Sequence, residues 1–319
     1  METRARLEKT SPQNNIGKYA LYVLFVLLCI ALAIVKPSFR TLDNMTNVLR
    51  QISITGYMAI GMLMVIITGG IDLAAGVTVG LCGAIGASFA QVGGSPIIGI
   101  FVGLAVGALV GALNGFLVAG LNMPPFIATL GTKMILNGVA LVYTEGRPVT
   151  NLSKEFTNIG GGYIGGIPIP VWILLACVLI GIFILRYTKY GRYLYAIGGN
   201  ELSARVSGVN VRMVKWTVYI INGLFSALCG LVLAARVNAG SPVAGTNYET
   251  DAITICVLGG ASLSGGVGSI GGAVAGMLFI GVVTNGMNLL NISSYWQLIV
   301  KGIIIVAAIV LDMYSKKAK

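Results

Sequence analysis

Apolar residues run along this chain in blocks of about twenty, the length that crosses about 30 Å of hydrocarbon at about 1.5 Å per residue. Polar residues collect between the blocks. The blocks fall at 18–35, 48–67, 71–90, 97–119, 125–144, 169–186, 215–236, 250–263, 268–289 and 295–312. They predict an all-α polytopic membrane protein of about ten transmembrane helices. A transmembrane domain covers 18–312, a tail covers 1–17, and a basic tail covers 313–319. The eighth block is short for a straight crossing and predicts a broken or tilted segment held among the others. The first block follows basic residues, as in a signal peptide, but no small-residue cleavage site comes after it. A retained first helix is expected.

Composition sharpens this reading. With 56% hydrophobic and 10% charged residues, a chain of 319 residues cannot build an ordinary water-soluble surface. The 45 glycines suit helices that approach closely in lipid, where small residues replace the hydrophobic drive. The net charge of +11 is clustered rather than spread over one face, so it sets orientation instead of recruiting nucleic acid. Arg4, Arg6, Lys9 and Lys18, the six basic residues between Arg186 and Lys215, and Lys316, Lys317 and Lys319 share one side. Both termini and the 187–214 loop are therefore expected in the cytoplasm. The 145–168 loop is expected outside, with the Asn-X-Ser/Thr triplets at Asn44, Asn151 and Asn291 on that same side.

Catalytic chemistry finds little support. The chain has no histidine, which removes the commonest metal ligand and general base. Its five cysteines lie in apolar stretches without CxxC spacing. Gly266 to Gly271 fits GxGxxG but lacks the strand and the acidic residue that a dinucleotide site requires, and no phosphate-binding P-loop motif occurs. No cofactor is expected on this chain, and it is not expected to be an enzyme.

Three sets of residues carry candidate function. Within the charged 186–215 island, Gly198-Gly199 predicts a break, Asn200 an N-cap, Glu201 a first-turn acid and Gly208 a left-handed stop, giving a short helix over 201–207. The segments Gly69-Gly70-Ile71-Asp72-Leu73-Ala74-Ala75-Gly76-Val77 and Gly259-Gly260-Ala261-Ser262-Leu263-Ser264-Gly265-Gly266-Val267 share GGxxLxxGV. They predict two equivalent cytoplasmic turns, with Asp72 as an N-cap or first-turn carboxylate. Lys133 and Lys301 lie inside apolar blocks and need partners, Glu249 and Asp251 being the nearest acids. Asn114, Asn137, Asn222, Asn285, Asn288 and Gln297 are polar groups that can bridge helices or line a path.

The runs GRYLYAIGGNELSARVSGVNV (191–211), TGGIDLAAG (68–76), YETDAITICVLGGASLSGGVGSIGG (248–272) and SSYWQLIVKGIII (293–305) resemble the permease subunit of bacterial ABC sugar importers of the ribose, xylose and galactose type. Ala74 and Ala75 stand where that family often has Ser-Val. The resemblance implies a type II importer-like bundle in the bacterial cell membrane that pairs with a second copy. It also implies a cytoplasmic ATPase subunit, which carries ATP and Mg, and an extracytoplasmic sugar-binding protein that does most of the discrimination. The helix from Asn200 to Ser207 then resembles a coupling helix, with Gly199, Asn200, Glu201, Ala204, Arg205 and Gly208 at the ATPase contact. Gly69, Gly70, Asp72, Gly259, Gly260 and Gly266 become candidate gating turns. The rivals are a permease for a nucleoside, polyol or furanone, and an ion-coupled transporter working alone. The scarcity of carboxylates within the apolar blocks counts against proton coupling.

Overall fold

The computed structural model describes residues 13–317, with side chains described over 22–310. Arg4, Arg6, Lys9 and Lys319, and the side chains of Lys18, Lys316 and Lys317, lie outside the described residues. Each apolar block contains a helix. They are α1 (Gln13–Val35), α2 (Leu42–Ile67), α3 (Ala75–Phe89), α4 (Pro96–Gly115), α5 (Pro125–Thr144), then α6 (Lys154–Gly161) outside the blocks, and α7 (Ile169–Ile182). The island supplies α8 (Lys189–Gly199) and α9 (Glu201–Val206). The chain closes with α10 (Val211–Val237), α11 (Tyr248–Leu258), α12 (Ile270–Leu289) and α13 (Ser294–Lys317). A two-residue hairpin, β1 (Tyr163–Ile164) with antiparallel β2 (Ile167–Pro168), precedes α7. Both α4 and α7 run on into a π-helical turn, at Phe116–Gly120 and Phe183–Tyr187.

Six described helical stretches are long and apolar enough to cross a membrane: Leu42–Ile67, Pro96–Gly120, Pro125–Thr144, Ile169–Tyr187, Val211–Val237 and Ile270–Leu289. Two blocks are shorter than hydropathy suggests. Ile71–Ala74 belongs to a turn, leaving α3 at 15 residues, and α11 has only 11. Two others begin earlier than their apolar residues. Thr41 and Asn210 cap α2 and α10, each accepting a backbone N–H from three residues ahead, so polar first turns are helical.

The core centres on α2 and α10, which carry the longest runs of buried residues. Glycines let α4 and α3 lie against α10 almost backbone to backbone. A β-carbon on Gly107 would sit 2.4 Å from the Gly223 carbonyl oxygen, and one on Gly83 2.8 Å from that of Gly230. After α10 the chain stays non-helical. Gly240 exchanges backbone hydrogen bonds with Val149 of the 145–168 loop at 2.8 and 2.9 Å. The segment then passes alongside α3, Pro242 beside Gly80 and Gly245 beside Gly76, before α11 begins.

Candidate functional site

The island folds as two helices rather than one. Thr188 caps α8 by accepting from the Gly191 N–H at 3.1 Å, and Leu194 and Ile197 bury one face against the core. Gly198-Gly199 does not break the chain, contrary to expectation. Both finish α8, and the break comes at Asn200, which is extended at φ −159° and ψ 105°. Packing explains the difference, because Gly198 lies where no side chain fits and the helix is held by its other residues. Asn200 Oδ1 then accepts from the Ser203 N–H at 2.9 Å and starts α9, and Gly208 follows at φ +84°. Ala204 is buried, while Leu202 and Val206 are exposed. Glu201 accepts from Lys215 at 2.5 Å and from Arg205 at 3.1 Å. The Lys215 ammonium chiefly, with Arg205 adding, holds the Glu201 carboxyl below the usual carboxylate range despite some burial.

The two glycine turns meet each other and the end of α8. The Gly266 N–H donates to the Ile67 carbonyl at 2.9 Å, joining the second turn to the end of α2. A β-carbon on Gly198 would lie 1.8 Å from that same carbonyl oxygen and 2.3 Å from Gly266 N, and one on Gly265 2.9 Å from Gly69 N. Tyr195 Oη donates to the Gly268 carbonyl at 2.8 Å. Gly69 and Gly260 take positive φ, +77° and +84°, which suits glycine. Gly70 packs on Tyr219 and Val65, and Gly259 against Gly272.

Asp72 is not the N-cap of α3; Ala74 holds that place without a side-chain bond. The carboxylate lies two residues before it, 2% exposed, and accepts from the Ala74 N–H at 3.0 Å, Asn114 Nδ2 at 3.2 Å and Asn222 Nδ2 at 2.8 Å. Asp72 thus ties the first turn to α4 and α10.

The two lysines find the acids of the first turn of α11. Lys133 Nζ lies 2.5 Å from Glu249 Oε1 and Lys301 Nζ 2.7 Å from Asp251 Oδ2. Glycine at position 76 leaves room for the Glu249 carboxylate at the start of α3, where the helix dipole favours it. Asn285 pairs with Asn44 through two reciprocal hydrogen bonds between their side-chain amides, of 2.8 and 3.2 Å, and Asn288 accepts from Gln297 at 2.9 Å. Asn137 is exposed, one turn beyond Lys133 on α5, and bridges no helices among the described residues. Sequence reasoning missed α8, although Tyr190, Leu194 and Ile197 recur at helical spacing, and it missed Asn44 as a partner. Among the described residues no group of three or more His, Cys, Asp or Glu could hold a metal ion.

The chain is 49% identical to the ribose import permease protein RbsC of Bacillus subtilis, over 91% of this chain and 90% of that protein. It is 42% identical to the L-arabinose transport system permease protein AraH of Escherichia coli, over 95% and 92%. It is 35% identical to the xylose transport system permease protein XylH of Haemophilus influenzae, over 93% and 97%. No solved structure matches it. Residues 44–309, which hold both glycine turns, the island and the ion pairs of Lys133 and Lys301, match one family along their whole length. The chain belongs to the branched-chain amino acid transport system / permease component family.

Proposed function

We propose that this chain is the membrane permease subunit of an ATP-driven sugar importer. Its substrate is a monosaccharide of the kind named for its relatives, ribose, arabinose or xylose. One structural observation carries the mechanism: α8 abuts both glycine turns while α9 stands exposed beside it. In this reading a cytoplasmic ATPase, holding ATP and Mg, docks on α9 through Leu202, Val206 and the Glu201–Arg205 edge. Its closure moves α8, and α8 moves the turns at Gly69-Gly70 and Gly259-Gly260 together. The bundle then alternates between outward and inward openings. An extracytoplasmic binding protein delivers the sugar.

The same reading has ten crossings in the bacterial cell membrane with both termini cytoplasmic, α3 and α11 serving as short internal ones. A second copy covers the face where α5 and α13 flank α11. There Lys133, Asn137 and Lys301 retain exposure that lipid would penalise. The outward face of α4, wholly apolar, suits lipid.

Uptake in proteoliposomes holding the permease, its ATPase and its binding protein tests this. Sugar uptake should require ATP and the binding protein and should survive a protonophore. Uptake by the permease alone that collapses with the protonophore would return the protein to the ion-coupled class. Replacing Glu201, Ala204 and Arg205 together should abolish ATPase association while membrane insertion persists.

A further inference from the structure

Two adjoining cavities open where the end of α4 meets the start of α10. One, of about 250 Å³, is walled by Phe116, Met213 and Trp216. The other, of about 350 Å³, is walled by Asn122, Arg205 and Arg212, and the two share Gly120, Asn210 and Arg212. They differ in chemistry. The first continues the outward face of α4, where Phe101, Leu109, Leu113 and Phe116 are exposed at helical spacing. The second holds two guanidinium groups beside the N-terminus of a 27-residue helix, whose dipole adds positive potential.

Its charge is only partly compensated. Arg212 makes no ion pair among the described residues, and Arg205 shares the single carboxylate of Glu201 with Lys215. The Arg212 head lies beside Gly120, its Nη2 3.4 Å from where a β-carbon would stand. The Trp216 indole is fixed by donating to the Ala112 carbonyl at 2.9 Å near the end of α4, and tryptophan is a side chain that favours membrane interfaces. A ligand that fills both cavities must be apolar along α4 and anionic beside Arg212.

We infer that this double recess binds one anionic phospholipid of the cytoplasmic leaflet, its phosphate at Arg212 and an acyl chain along Phe116 and the outer face of α4. An acidic loop of a protein partner would match the arginines and leave the Phe116–Trp216 cavity unfilled. The inference requires the island to be cytoplasmic and does not depend on which sugar is carried.

The chain has three tryptophans, so Trp172→Phe with Trp296→Phe leaves Trp216 as the reporter. In nanodiscs of the full chain, brominated phosphatidylglycerol should quench it roughly five-fold more effectively than brominated phosphatidylcholine at equal bromine density, the preference expected of one juxtamembrane charge. Arg212→Gln should bring the ratio close to one, while Arg192→Gln, an exposed change on α8, should leave it intact. A ratio near one with all arginines present overturns the inference. So does a preference that survives Arg212→Gln, or one that inorganic phosphate alone abolishes at matched ionic strength.

Discussion

Gly198→Ala is the sharpest test of the junction between α8 and the two turns. The new methyl carbon would start 1.8 Å from the Ile67 carbonyl oxygen and 2.3 Å from Gly266 N, where ordinary contact begins near 3.4 Å. Both obstacles are backbone, so no side chain can rotate away. The end of α8 must withdraw by roughly 1.5 Å, and overpacking of this kind costs about 1–3 kcal/mol. That is too little to unfold a bundle of this size yet enough to part α8 from the turns it touches. In the reconstituted importer the variant should still bind the ATPase and hydrolyse ATP. Sugar moved per ATP should fall by roughly ten-fold, the equivalent of about 1.4 kcal/mol of lost coupling. Gly199→Ala is the contrast, because a β-carbon there meets nothing within 4 Å, and its loss should be far smaller. If Gly198→Ala transports with the wild-type yield per ATP, α8 does not transmit the stroke.

Other expectations are equally concrete. Asp72→Asn removes the charge that accepts from Ala74, Asn114 and Asn222, so thermal unfolding in detergent should report a loss of about 3 kcal/mol. Lys133→Met and Glu249→Gln should each cost roughly 3 kcal/mol because each strands a charge, and the double variant should lose less than their sum. Glu201 has a folded pKa below its unfolded value of about 4.3, so its contribution is complete above that value and disappears as pH falls through the lower, folded one. ATPase association measured against pH should fall on the acid side of that window, and Glu201→Gln should flatten that part of the curve.

Much of this arrangement was legible in the residues. The polar cap of α9, the left-handed Gly208 and the acids that answer Lys133 and Lys301 follow from local rules and from the high cost of a lone charge among apolar helices. What escaped was anything set by contact between distant backbones. A glycine pair reads as a break because glycine lowers helix propensity, yet Gly198 is glycine because Ile67 lies against it. Asp72 looked like a cap because it precedes a helix; its partners Asn114 and Asn222 are 42 and 150 residues away. Hydropathy also overran α3 and α11, since a buried turn and a short helix are as apolar as a crossing.

The non-helical approach to α11 also bears on how the protein is made. A segment of 11 helical residues carrying Glu249 and Asp251 has too little apolar length to partition into lipid during synthesis. It becomes tolerable only once Gly76 and Gly80 of α3 offer a bed, and Lys133 of α5 a counter-charge. The early helices must therefore already be standing in the bilayer when residues 238–258 emerge. The last pairing, Asp251 with Lys301, closes only after α13 is synthesised. Biogenesis of the final third is conditional on the first half, and a truncation that ends after α10 should insert far more readily than one that begins there.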